Sequence, residues 1–120
     1  MLFRSRSAES ALAVGQRIAA VGTYDGLVAK YNAAKKPFAM VKELKARCAD
    51  LVKADDALVA SLERQAKLDQ HTAELAGSFV AKDPQWKNAQ DAASSQAQAT
   101  QAEAAKVRAA RESDAKVCPK

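Results

Sequence analysis

Residues 41 to 62 read VKELKARCADLVKADDALVASL, and their spacing decides the fold. Val41, Leu44, Cys48, Leu51, Asp55, Leu58 and Leu62 recur in alternating steps of three and four, the signature of a helix that lays one stripe against a neighbour. Asp55 is the one polar member. Past Leu62 the stripe slips through Gln65 to Leu68, Thr72, Leu75 and Phe79. This change of phase predicts a local overwinding of the seam.

Working outward, proline sets the boundaries. Pro37 and Pro84 suit first-turn positions, where the missing N–H costs nothing, and Asp83 stands ready as a cap. The chain therefore divides into helices over about 7–34, 37–82 and 84–116. At about 1.5 Å per residue the middle one would be a rod rather than a globular helix. The third carries its own stripe of mostly small residues: Trp86, Gln90, Ala93, Ala97, Thr100, Ala104, Val107, Arg111, Asp114 and Cys118. The fold class is all-α, an elongated antiparallel hairpin of the second and third helices with the shorter first helix packed on its basic half. One helical domain accounts for residues 1–120, with 1–6 as a flexible leading segment.

Composition agrees. Of the 120 residues, 29 are alanine, whereas Leu, Ile, Val and Phe together supply only 22. Close-packed helices use such a composition; a sheet would need more β-branched residues. No run of 18 uncharged apolar residues exists, so a membrane-spanning helix is not expected.

The two cysteines test the hairpin from within. Facing residues of an antiparallel pair have numbers that add to a constant, and Cys48 with Cys118 gives 166. The same constant lays Leu62 on Ala104, Val59 on Val107, Val80 on Trp86 and Asp55 on Arg111. The register thus predicts a Cys48–Cys118 disulfide and an Asp55–Arg111 ion pair. A bridge across this separation removes about 4 kcal/mol of loop entropy from the unfolded chain, and a thin alanine core needs such a staple. Two buried free thiols are the alternative.

On the first helix Ala11, Val14, Ile18, Val21 and Val28 form an apolar stripe. Beside it runs a face without large side chains, containing Gly15, Gly22 and Gly26. Each helical glycine costs about 0.8–1 kcal/mol against alanine, so three of them ask for close contact, either within the body or with a partner. A break at Gly22-Thr23-Tyr24-Asp25-Gly26 is a third option.

Catalytic chemistry is not indicated. Asp55 and Asp56 are helix neighbours that point about 100° apart, and of the acids flanking His71, Asp69 and Glu74, only Glu74 can share its helix face, too few groups for a metal bundle. Phosphate loops, nucleophile elbows and dinucleotide fingerprints are missing. No enzyme activity, cofactor or metal is expected. The leading expectation is a structural, assembly or protein-binding subunit of a larger complex, or an extracytoplasmic adaptor, with Trp86, Phe79 and Leu75 at the arm tip and Gly15, Gly22 and Gly26 on the small face as contacts.

The net charge of +5 offers an alternative. Lys35, Lys36, Lys42, Lys45 and Arg47, joined by Lys106, Arg108, Lys116 and Lys120, could bind nucleic acid or another anionic surface, although no aromatics alternate with them to stack bases. A helical inhibitor of a secreted enzyme is a further alternative. The disulfide favours an oxidising location such as periplasm, extracellular space, intermembrane space or virion. The Arg- and Ser-containing, acid-poor start resembles a transit peptide in composition, and no secretory signal is read from it.

Overall fold

The computed structural model describes residues 8–119, so the leading segment 1–6 lies outside the described residues. Three helices follow in order: α1 (Ala8–Ala33), α2 (Val41–Ser78) and α3 (Trp86–Val117), with one 3₁₀ turn at Phe38–Met40. No strand occurs among the described residues. The molecule measures 69 × 24 × 15 Å, a rod built on the α2/α3 hairpin.

Helix α1 ends in a turn with two consecutive left-handed residues, Lys35 (φ 64°) and Lys36 (φ 58°). Lys36 N–H donates to Tyr31 O at 2.8 Å and Ala34 N–H to Lys30 O at 2.9 Å, which closes the last carbonyls of the helix. Pro37 then adopts extended backbone and opens the 3₁₀ turn that leads into α2. At the far end α2 stops at Ser78, four residues before the expected boundary. Asp83 Oδ1 accepts from Gln85 N–H at 3.0 Å, and Pro84 O accepts from Lys87 N–H at 3.0 Å, so Asp83 and Pro84 start α3 as turn residues just ahead of the helix.

Residues 22–26 stay helical, and Tyr24 explains why. Its ring is buried with Leu44, Cys48 and Leu51, with Val21, Leu27, Val28, Tyr31 and Cys118 around them. A second cluster joins Ala13, Leu58, Leu62 and Ala104, with Val14 and Val107 packed against it. The α1 face that meets α2 is therefore Ser10, Ala13, Arg17, Tyr24 and Tyr31. Ile18, expected on the inner stripe, is 66% exposed, because turning Tyr24 and Arg17 inward rotates it out to solvent.

The phase change expected past Leu62 does not occur. Gln65, Ala66, Asp69, Ala73 and Ala76 are buried, and Cys48, Asp55, Leu62, Asp69 and Ala76 keep the seven-residue repeat through this stretch. Leu68 and Leu75 are more than half exposed. The physical reason is seam width: two helices with no third to cover them come closest through alanine, and α3 offers Ala97, Thr100 and Ala104 in return. At the tip the approach is tight enough that a Cβ on Gly77 would run into the Gln90 carboxamide.

Candidate functional site

Two places concentrate what the sequence singled out: the base of the hairpin and its distal arm. At the base, Cys48 and Cys118 form the disulfide, with Cα atoms 5.6 Å apart. This fixes α2 and α3 at the same level and sets the register that carries Gly77 onto Gln90 at the other end.

The expected Asp55–Arg111 pair is not formed. Asp55 is wholly buried and takes Arg17 of α1 instead, while Arg111 binds Asp56 at 3.0 Å and Glu112 at 3.2 Å. A register built on two helices cannot see a partner on the third. Arg17 enters between α2 and α3 and also lies 3.9 Å from Asp114 Oδ2. One guanidinium thus stands between carboxylates from two helices and ties all three together.

The second carboxylate changes the charge balance. Burial pushes the Asp114 carboxyl up to about 6, helped by its hydrogen bond with Asp55 and by the Asp55 charge, against the pull of Arg17. Asp55 Oδ2 and Asp114 Oδ2 are both buried acceptors with no donor. Below about pH 6 a proton on Asp114 makes that hydrogen bond, and one guanidinium and one proton then neutralise two carboxylates. Asp55 and Asp56 do not act together: the first is inside with Arg17, the second outside with Arg111.

Among the described residues nothing packs against the three glycines of the α1 small face. No atom lies within 4 Å of a Cβ built on Gly15, Gly22 or Gly26, so close packing inside the body is not the reason for these glycines. Gly22 and Gly26 border a shallow notch with Lys30, Glu43 and Arg47.

The basic residues are dispersed and partly engaged. Arg47 lies 3.4 Å from Asp50, and Arg108 lies 3.0 Å from Glu63, halfway along the hairpin rather than at its base. Lys35 and Lys36 form the α1 turn, Lys42 and Lys45 begin α2, and Lys116 ends α3. Lys120 lies outside the described residues. Among the described residues, no group of three or more His, Cys, Asp or Glu comes together that could hold a metal ion, and His71 is exposed.

The distal arm holds the feature that sequence reasoning located but misread. Beneath α1, Leu44, Leu51 and Leu58 recur every seven residues on α2, with Ser61 beside them hydrogen-bonded to Ser10 at 3.2 Å. The last α1 contact in this track is the ion pair of Glu9 with Arg64. The same heptad positions then continue through Thr72 and Phe79, and through Leu68 and Leu75. Beyond Arg64 no described helix lies over them. Phe79 and Trp86 touch, ring centroids 5.2 Å apart, yet remain 41% and 43% exposed. They brace the turn and still present apolar surface.

Comparison with known proteins adds no relative: no family model, no curated protein and no solved structure matches this chain.

Proposed function

We propose that this chain is a non-enzymatic helical assembly subunit that binds a protein partner along its distal arm, with Leu68, Leu75, Phe79 and Trp86 as the contact residues. One observation carries the reading. Past Arg64 no described helix lies over this side of α2, and there the row of Ser61 passes to Leu68 and Leu75, both more than half exposed. Scattered exposed residues such as Leu12 and Phe38 need no explanation, whereas a contiguous row along a helix marks an interface. The open glycine face of α1, at Gly15, Gly22 and Gly26, is a second surface that a helix can approach closely. The disulfide suits an oxidising compartment, outside the reducing cytosol. No described helix is long and apolar enough to cross a membrane.

Anion binding is the weaker reading, since Arg47 and Arg108 already face carboxylates. Inhibition of a secreted enzyme uses the same apolar arm and is one form of the proposed binding. The discriminating experiment is capture from the native source with purified, oxidised protein. Capture through the arm survives about 0.5 M salt and is lost with Leu75→Asp; phosphate-driven capture collapses in that salt and is lost with Lys42→Glu and Lys45→Glu. Salt-sensitive capture indifferent to Leu75→Asp contradicts the proposal.

A further inference from the structure

The layers of the three-helix body run on past Ala8, the first described residue of α1. Tyr24 packs with Cys48 and Cys118, Arg17 pairs with Asp55, and Ala13 clusters with Leu58, Leu62, Ala104 and Val107. Tyr24 with Cys48 makes the α1 and α2 numbers add to 72, and Tyr24 with Cys118 places α3 numbers 94 above those of α1. The inward positions Arg17, Ala13 and Ser10 are followed, in the same steps of four and three, by Arg6 and Phe3. The register sets Arg6 level with Ala66 and Thr100, and Phe3 level with Asp69 and Ala97. Those four groove residues are 2%, 5%, 2% and 1% exposed, although every described α1 residue lies below their level.

The charges repeat along with the layers. Arg17 binds the buried Asp55 on α2 and lies 3.9 Å from Asp114 on α3. Three helical turns earlier on α1 comes Arg6, three turns earlier on α3 comes Glu103, and two heptads later on α2 comes Asp69, a second buried acid. By the register Asp114 stands three residues beyond the level of Arg17, and Glu103 stands three residues beyond that of Arg6, so Arg6 has the same span to cross. Asp69 is offset equally on α2, about 4.5 Å of helix rise. We propose that residues 1–7 of this chain, which lie outside the described residues, dock as a continuation of α1 in the groove between α2 and α3, with Arg6 between Asp69 and Glu103 and Phe3 on Ala66 and Ala97. Length and charge fit this occupant. Seven residues of helix span about 10 Å, from the level of Arg64 to that of His71, and they carry two arginines and no acid. An aromatic ring fills the space that a seam of alanines leaves. Leu75, Phe79 and Trp86 lie beyond this span and stay open, so the docking adds to the binding of a partner at the tip and does not depend on it.

Nuclear Overhauser spectra of the full, oxidised chain test this. The Phe3 ring protons should show contacts to the methyl groups of Ala66 and Ala97. Arg6→Glu should remove those contacts and speed amide exchange of residues 66–71 about threefold, while residues 48–58 and the disulfide are unaffected. Reversing both charges, Arg6→Glu with Glu103→Arg, should bring the contacts back. Leu75→Asp, beyond the docked span, should leave them in place. Absence of any contact between Phe3 and the two alanines in the native chain overturns the inference. Contacts that survive Arg6→Glu, or that the double reversal fails to restore, overturn the assignment of Arg6 to Asp69 and Glu103.

Discussion

Helix α2 leads two different lives along its 38 residues. From Val41 to Arg64 it lies beneath α1 and against α3, stapled at Cys48 and locked at Asp55. From there to Ser78, α3 is the one described helix beside it, and Gln65, Ala66, Asp69, Ala73 and Ala76 are its buried residues. The basal half puts its leucines inside; the distal half puts them outside. An arm meant only as a stable rod would spend Leu68 and Leu75 on its own seam, where each is worth about 1.5–3 kcal/mol on burial. Their outward placement is what the proposed protein contact would use.

The comparison breaks first at the staple. Cys48→Ser with Cys118→Ser should lower unfolding free energy by about 4 kcal/mol in denaturant titration, and reduction of the native protein should reproduce the loss. Next comes a paired truncation. Leu58→Ala, in the covered stretch, should cost about 3 kcal/mol, whereas Leu75→Ala, in the bare stretch, should change stability by less than about 0.5 kcal/mol. Equal costs would mean that the two halves are not different.

A smaller effect separates the halves by pH. The folded chain holds the Asp114 proton up to about pH 6, while the unfolded chain releases it near 3.8. The folded state therefore binds more protons in that window, and this group withdraws stability as pH rises through it. Going from pH 7.5 to pH 5 should add on the order of 1 kcal/mol to stability through this group, discounted for its partial exposure. Asp114→Asn should flatten that slope when the urea midpoint is followed against pH. A slope of the opposite sign that Asp114→Asn leaves unchanged contradicts the shared-proton account.

Much of the fold is legible in the sequence because it rests on covalent spacing and helix period. Pro37, Pro84 and the 41–62 stripe mark the helices, and the cysteine pair alone gives a hairpin register that reaches Gly77 and Gln90. The failures share one cause. A hairpin register ranks partners on two helices, so it gave Asp55 to Arg111 while Arg17 came from a third. A hydrophobic stripe follows the largest side chains, so it drew the distal seam through Leu68 and Leu75 and missed Ala66, Ala73 and Ala76. In an alanine-rich arm the small residues make the contact. For the candidate site, Leu68, Leu75, Phe79 and Trp86 were identifiable as large apolar residues of a thin two-helix arm; that Leu68 and Leu75 stand outside the seam follows from the structure.

Amide hydrogen exchange, read residue by residue on dilute oxidised protein, tests the central claim most directly. The account predicts that amides of residues 48–62 open only with global unfolding, while those of 68–78 exchange through local opening at least about tenfold faster. Uniform protection along α2 would contradict it.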